Sequence, residues 1–213
     1  GSEMCIRDRS SISHYFDNND KFDIIINCAA FTQVDRAEQK AELANQINHL
    51  AVKQLAIIAN KQQARLIHIS TDYVFDGESD KPYLETDTPN PINAYGRTKL
   101  AGEKALQTVM PMNALVIRTS WLYSEYGNNF VSTMLKLGKE RDELSVVSYQ
   151  MGSPTYAADL ADAILEIIKH KKFRDEGQTT QIYNYSNEGK ISWYEFAKEI
   201  FKIEKIGCEV NPV

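Results

Sequence analysis

Residues 23–30 read DIIINCAA, a short apolar run that is rich in β-branched side chains. Such a run is typical of a parallel strand that is covered on both faces. Alanine, leucine and isoleucine then recur at helical spacing over residues 34–61, and residues 65–70, RLIHIS, form a second apolar run. Strand, helix and strand in this order predict a right-handed crossover between neighbouring parallel strands.

The rest of the chain continues the alternation. Further helices are predicted at residues 93–107, 129–138, 157–169 and 193–202, the last with Ser192 as its N-cap. Further strands are predicted at ALVIRTS from Ala114, LSVV from Leu144 and QIYNYS from Gln181. Residues 76–93 are polar, contain three prolines and are predicted to form a long loop. We therefore predict an α/β fold, a truncated Rossmann-like doubly wound parallel sheet with a partial, smaller substrate lobe.

Composition excludes several classes of protein. The chain has 213 residues, 43% of them hydrophobic, and a net charge of -5, which is ordinary for a globular protein and argues against nucleic acid or an anionic membrane as a partner. No apolar run approaches the roughly 20 residues that span a bilayer, and we expect a cytoplasmic location. The three cysteines lack metal-ligand spacing, and Cys28 is expected to be a small buried residue.

Residues 93–104, NAYGRTKLAGEK, place a tyrosine and a lysine four residues apart at the start of a predicted helix. Tyr95 and Lys99 then share one helical face, and an ammonium group near a phenol lowers its pKa by favouring the phenolate. Thr71 follows a predicted strand and could orient a substrate oxygen beside Tyr95. The spacing alone is common by chance, and each of these side chains could be purely structural. His68 lies inside a strand and is expected to be a packed, hydrogen-bonded imidazole.

Several longer motifs give this pair a context. The sequence contains NCAAFTQVDRAE, HISTDYVFDG, YGRTKLAGEKAL, RTSWLYSEYGNNFVSTML and GSPTYAADLA, in that order between residues 22 and 202. Taken together, these motifs resemble the dTDP-4-dehydrorhamnose reductase family, a group of extended short-chain dehydrogenases. The resemblance implies an oxidoreductase that uses NADPH, or NADH, to reduce the C4 keto group of dTDP-4-dehydro-L-rhamnose to give dTDP-L-rhamnose.

The resemblance also implies roles for individual residues. Tyr95, Lys99 and Thr71 would be the catalytic residues, with Tyr95 as the proton donor and Lys99 also holding the nicotinamide ribose. The backbone of Ala30, Phe31 and Thr32 would lie against the cofactor, and Tyr95 and Lys99 would also belong to the cofactor-binding residues. Thr71 and Asp72 would contact the sugar of a dTDP-sugar substrate, and Trp121 its dTDP part. No metal ligand is assigned, and the need for Mg²⁺ and the formation of a homodimer stay open.

The sequence departs from the family pattern at both ends. It contains no Gly-x-x-Gly-x-x-Gly turn for the pyrophosphate of a dinucleotide, and too few residues precede Asp23 to hold further strands. We therefore interpret it as a fragment without the N-terminal glycine-rich segment and the C-terminal end, and expect it to be inactive. Residues 1–21 are expected to be a non-native or disordered leader, 22–150 an incomplete NAD(P)-binding domain, and 151–213 a partial substrate-binding lobe.

Two other functions stay open at this point. One is a non-catalytic regulatory subunit that resembles the beta subunit of methionine adenosyltransferase. The other is a related sugar-nucleotide epimerase or dehydratase, which shares the Tyr-x-x-x-Lys spacing but typically differs at the strand end. The motifs STDYVFDG and RTSWLY favour the reductase.

Overall fold

A computed structural model of the chain describes residues 9–175 and 177–213. The helices are α1 (Arg9–Asp17), α2 (Val34–Gln39), α3 (Ala41–Asn45), α4 (Ala51–Gln62), α5 (Ala94–Val109), α6 (Phe130–Glu140), α7 (Ala157–Lys169), α8 (Lys171–Arg174) and α9 (Trp193–Glu204). The strands are β1 (Ile24–Asn27), β2 (Arg65–Thr71), β3 (Ala114–Thr119), β4 (Leu122–Tyr123), β5 (Glu143–Val146), β6 (Met151–Gly152), β7 (Thr155–Tyr156), β8 (Gln181–Tyr185), β9 (Ile191–Ser192) and β10 (Glu209–Pro212). A π-helical turn, Gln46–Leu50, joins α3 to α4, and a 3₁₀ turn, Asp72–Val74, follows β2.

The chain divides into two compact units, and their composition differs from the predicted division at residue 150. The first contains the described residues up to Arg118 together with residues 169–184, and the second contains residues 119–168 and 185–213. The difference arises because β8 lies next to β3 in a sheet, so that residues after α7 return to the first unit. A strand pattern in the sequence identifies β8 but does not identify its neighbour.

A four-stranded sheet organises the first unit, with the strand order β1-β2-β3-β8. The pairing of β1 with β2 is parallel, and its register runs from Ile24 opposite Arg65 to Asn27 opposite His68. Helices α4 and α5 supply Val52, Ala56 and Leu106 to a core that includes Leu66 and Val116 of the sheet, and all five side chains are fully buried. The predicted α/β fold and the strand–helix–strand order at its start are confirmed.

Helix α1 corrects part of the expected leader. Its Ile12 is 4% exposed and packs against Ala51, Leu55 and Ile58 of α4. The expectation of a disordered leader is therefore wrong for residues 9–17, because they form a helix whose Ile12 is buried against α4. Residues 1–8 lie outside the described part of the chain.

The second unit has its own core between α6, α9 and a parallel pair formed by β5 and β10. Leu144 and Val146 of β5 pack there with Phe201 of α9, whereas the alternation in the sequence placed β5 in the doubly wound sheet. Ser192 caps α9 as predicted, and Glu195 completes a capping box.

In the part of the chain that the structure describes, no helix is both long enough and apolar enough to cross a membrane.

Candidate functional site

The first turn of α5 is pressed against the end of β2. Asn93 caps the helix, and its Oδ1 accepts a hydrogen bond from the Gly96 amide at 2.7 Å. A Cβ at Gly96 would lie 2.1 Å from the Tyr73 carbonyl oxygen, so only glycine allows this approach. The consequence is that Tyr95, one residue earlier, lies beside the residues that follow β2.

Tyr95 lies beside the residues at the end of β2. The Tyr95 and Tyr73 rings pack edge to face with centroids 5.5 Å apart, and the Thr71 hydroxyl acts to lower the pKa of Tyr95. The Thr71 hydroxyl also donates to Asp72 Oδ1 at 3.1 Å and accepts from the Tyr73 amide at 3.2 Å. A threonine hydroxyl has a single proton, so Asp72 and any substrate oxygen would compete for it.

Lys99 lies one turn further along α5, and its side chain is only 1% exposed. Its Nζ donates to the Ile69 carbonyl oxygen at 2.6 Å. Burial lowers the pKa of Lys99 to about 8, while the charges of Glu103 and Cys28 act in the opposite direction. The pKa of this buried amine thus lies close to neutral pH.

The expectation that Lys99 acidifies Tyr95 is not met in this structure. Burial raises the pKa of Tyr95 to about 12, the Thr71 hydroxyl lowers it in part, and the charge of Asp72 adds to the rise. The lysine has no part in this shift because its ammonium is directed to the strand carbonyl. The two side chains share a helical face, but the phenol is held in its neutral, proton-bearing form.

Asp72 is the other titrating group at this position. Burial raises the pKa of its carboxyl to about 6, and hydrogen bonds from Thr71 and from the backbone oppose that rise. The carboxyl therefore changes its protonation state close to neutral pH, and it lies next to the Thr71 hydroxyl.

The loop after β1 carries Ala30, Phe31 and Thr32, and its backbone is fixed by a side chain that the sequence did not indicate. Asn48, fully buried in the π-helical turn, accepts from the Phe31 amide at 2.8 Å and donates to the Phe31 carbonyl at 3.1 Å. Its amide also donates to Thr98 of α5 at 3.2 Å. Asn48 thus forms hydrogen bonds both to the predicted cofactor loop and to the predicted catalytic helix. The Phe31 ring packs against the cluster that contains Tyr95.

Behind the site lies a buried imidazole. His68 is fully buried, as predicted, and its Nδ1 lies 3.0 Å from Asn27 Nδ2. Burial and the nearby charge of Lys99 hold the pKa of His68 well below its usual range, so the ring is neutral. Cys28, expected to be buried, is instead exposed, because the chain leaves the sheet directly after Asn27.

A buried ion pair extends the same face of α5. Glu103 is 1% exposed, and it accepts from Arg118 Nη2 at 2.7 Å and from Arg118 Nε at 3.1 Å. Ser70 Oγ also donates to Glu103 Oε1. Residues 95, 99 and 103 are spaced by four, and this spacing predicts that Glu103 shares a helical face with Tyr95 and Lys99. Nothing in the sequence identifies Arg118 as the partner of Glu103.

Trp121 lies in the second unit. Its backbone has a positive φ of 47°, and its indole stacks on Trp193 with ring centroids 3.4 Å apart. A Cβ at Gly152 would lie 2.5 Å from the same indole, so this glycine is needed for the packing of the ring. The predicted contact of Trp121 with the dTDP part stays a prediction.

Comparison with known proteins places this geometry in a family. A family model described as the RmlD substrate binding domain matches residues 2–213. The chain belongs to this family. A dTDP-4-dehydrorhamnose reductase of Aggregatibacter actinomycetemcomitans is 42% identical over 94% of this chain and 67% of its own length. Another, of Escherichia coli, is 47% identical over 84% of this chain and 59% of its own length.

Solved structures of the family agree with the fold. The dTDP-4-dehydrorhamnose reductase of Bacillus anthracis in complex with NADP superposes with a TM-score of 0.89 at 43% identity, covering 98% of this chain and 72% of that one. The reductase of Clostridium acetobutylicum also has a TM-score of 0.89, at 41% identity. The predicted family and its Rossmann-like fold are thereby confirmed, and the chain spans about three fifths to two thirds of the first two relatives.

Proposed function

We propose that this protein is a dTDP-4-dehydrorhamnose reductase, which reduces the C4 keto group of dTDP-4-dehydro-L-rhamnose with NADPH to give dTDP-L-rhamnose. The observation that carries the proposal is the packing of Tyr95 on Tyr73, directly after the hydrogen-bonded Thr71 and Asp72, with Lys99 one turn along the same helix. It is supported by relatives that bear the name of this activity at 42% and 47% identity. No observation favours the regulatory-subunit or epimerase alternatives.

The residues present fit a nicotinamide cofactor. An ammonium group has three N–H donors, and the Ile69 carbonyl uses one, so two are left for the hydroxyls of a ribose. Ala29 and Ala30 are small and only partly buried, and the backbone after them is held by Asn48. Ala30, Phe31, Thr32 and Lys99 would hold the cofactor, and NADPH would supply the hydride.

Tyr95 is the proposed proton donor to the oxygen that gains negative charge during reduction of the ketone. A phenol with its pKa near 12 keeps its proton throughout the physiological range, so it is available as a hydrogen-bond donor and as an acid toward a strongly basic alkoxide. Thr71 would hydrogen-bond the same oxygen and fix its position. Transfer of a proton to the alkoxide avoids the release of an unstabilised charge in a buried site.

Asp72 is proposed to contact the sugar, and its titration gives the site a pH dependence. With its pKa near 6, the carboxyl is largely ionised at pH 7, and it then accepts the hydrogen bond that the Thr71 hydroxyl donates. Below pH 6 the carboxyl is neutral and releases the Thr71 hydroxyl to the substrate oxygen.

A steady-state assay tests the proposed function. A version of the protein with the full length of its relatives should oxidise NADPH only when dTDP-4-dehydro-L-rhamnose is present, with dTDP-L-rhamnose as the product. The same assay with dTDP-glucose, which has no keto group, is the control. Oxidation of NADPH without a reduced sugar product, or a product epimerised without loss of NADPH, would reject the proposal.

Three further statements belong to the proposal. The protein acts on a small dTDP-sugar in the cytoplasm, without nucleic acid or a membrane as partner. A homodimer is tested by light scattering, which should give twice the chain mass. The need for Mg²⁺ stays open; the described residues contain no group of three or more His, Cys, Asp or Glu side chains that could hold a metal ion.

A further inference from the structure

The first turn of α5, which carries Tyr95, is hydrogen-bonded to a side chain of another helix. The amide of Ala94, the first residue of α5, donates to Oε1 of Glu38. Glu38 lies on α2, the helix that follows the predicted cofactor loop. The amides of a first helical turn have no partner within their own helix, so a carboxylate from another element can satisfy one of them. This contact therefore joins α2 to the residue directly before Tyr95.

The contact is additional to the usual cap of the helix. Asn93 Oδ1 already accepts from the Gly96 amide at 2.7 Å. Glu38 adds a second acceptor, and its negative charge lies at the positive end of the α5 dipole. Its other oxygen, Oε2, lies 3.5 Å from Arg97 Nη2, but both side chains are 53% exposed, so that solvent weakens this ion pair. The hydrogen bond to the Ala94 amide is therefore the contact of Glu38 that holds the helix.

Apolar packing next to Glu38 supports this hydrogen bond. Ala37, the preceding residue, is fully buried in one cluster with Ala94 and Tyr95, and the Phe31 ring packs against that cluster. The small alanine side chains allow α2 and α5 to approach closely, so that the Glu38 carboxylate reaches the Ala94 amide. The loop that carries Phe31 and the helix that carries Tyr95 thus meet at one buried cluster with a polar contact beside it.

We propose that Glu38 is a positioning residue for Tyr95: its hydrogen bond to the Ala94 amide fixes the first turn of α5 against α2, and so places the phenol relative to the cofactor loop. This inference rests on the proposed function, which gives Tyr95 the role of proton donor. It deepens that function because it assigns part of the site to a side chain that acts through the helix rather than on the substrate.

Three variants separate the hydrogen bond from the ion pair and from the charge. Glu38→Ala removes both contacts, Glu38→Gln keeps an oxygen acceptor for the Ala94 amide without the charge, and Arg97→Ala removes the ion pair but keeps the hydrogen bond. In a version of the protein with the full length of its relatives, we expect kcat to fall about 10- to 100-fold in Glu38→Ala and to stay within about three-fold of normal in the other two. Glu42→Ala, which removes an exposed carboxylate from α3, is the matched control and should keep full activity.

The solvent deuterium isotope effect on kcat distinguishes positioning from simple stabilisation. Loss of folded protein lowers the measured kcat but leaves this isotope effect unchanged, whereas a displaced Tyr95 slows proton transfer and raises it. We therefore expect a larger isotope effect in Glu38→Ala than in the unaltered protein, in Glu38→Gln or in Glu42→Ala. A Glu38→Ala protein with a normal kcat, or with a lowered kcat and an unchanged isotope effect, overturns the proposal.

A measurement without turnover separates this proposal from the proposed function. In the 213-residue chain, the NMR signals of the Tyr95 ring are assigned by their loss in Tyr95→Phe, and the Tyr73 ring, with its centroid 5.5 Å away, shifts them. We expect these signals to move in Glu38→Ala and to stay in place in Glu38→Gln and Glu42→Ala. If Glu38→Ala does not fold, Glu38→Asp, which is one methylene shorter, takes its place and should show the same change. Unchanged Tyr95 signals overturn the proposal whether or not the reductase assay succeeds.

Discussion

At the scale of single residues, the sequence predicts which side chains meet but not what they do to each other. The four-residue spacing places Tyr95 and Lys99 on one face, and Thr71 is the last residue of a strand that ends beside them. The direction of the lysine ammonium depends on the Ile69 carbonyl, a backbone group with no signature in the sequence. For the same reason the rise in the Tyr95 pKa, which comes from burial, could not be predicted from spacing.

Asn48 is the residue that sequence reasoning missed altogether. An asparagine inside a helical pattern is an ordinary surface residue, and only the π-helical turn directs its amide to the Phe31 backbone.

The titration of Asp72 leads to a prediction about stability. Its pKa is about 6 in the folded protein and 3.8 in an exposed carboxyl, so the unfolded chain releases its proton first as the pH rises, and stability falls between about pH 4 and pH 6. Asp72→Asn should therefore raise the free energy of unfolding at pH 7 by about 3 kcal/mol, with no gain below pH 4. Urea denaturation at pH 7 and at pH 4 measures the free energy of unfolding of both proteins.

The control for that experiment is Asp80→Asn in the exposed part of the loop after β2. It should change the free energy of unfolding by less than about 0.5 kcal/mol at either pH. A gain from Asp72→Asn that is equal at pH 4 and pH 7 would contradict the raised pKa.

At the scale of elements, periodicity identified β1, β2, β3 and α5, because buried strands and amphipathic helices have distinct patterns. It did not identify partners: β5 pairs with β10 outside the main sheet, and α1 packs on α4. Pairing depends on contacts between segments far apart in sequence, which a local pattern does not encode.

Close packing of α5 on the π-helical turn gives a prediction at this scale. A Cβ at Gly102 would lie 2.1 Å from the Asn48 carbonyl oxygen, so Gly102→Ala forces the helix away from the turn that carries Asn48. We expect a loss of roughly 1–3 kcal/mol in the free energy of unfolding, despite the higher helix propensity of alanine. Lys104→Ala on the exposed face of α5 should be neutral, and a neutral Gly102→Ala would refute the close contact.

At the scale of the whole molecule, the chain consists of two units with separate cores. The composition of the second unit follows from the return of β8 to the sheet of the first, which no local pattern predicted. Both tryptophans of the chain, Trp121 and Trp193, lie in the second unit and stack on each other. Tryptophan fluorescence therefore reports on the second unit.

Removal of a core side chain from the second unit should be seen by this probe. Phe201 is 4% exposed and packs on Gly138, so Phe201→Ala should lower the free energy of unfolding measured by tryptophan fluorescence by about 3–5 kcal/mol. Ile203 lies on the same helix and is 68% exposed, so Ile203→Ala is the matched control and should cost less than about 0.5 kcal/mol. Equal losses in the two variants would contradict the assigned core.

The central claim is that Tyr95 donates the proton, and one comparison of variants tests this claim most directly. In a version of the protein with the full length of its relatives, kcat for oxidation of NADPH with dTDP-4-dehydro-L-rhamnose is measured for the unaltered protein, Tyr95→Phe and Tyr183→Phe, the last altering a half-exposed tyrosine on β8. We predict that Tyr95→Phe loses about 100- to 10,000-fold in kcat while Tyr183→Phe keeps full activity. A Tyr95→Phe protein that reduces the ketone within a few-fold of the normal rate would contradict the assignment of Tyr95 as the acid.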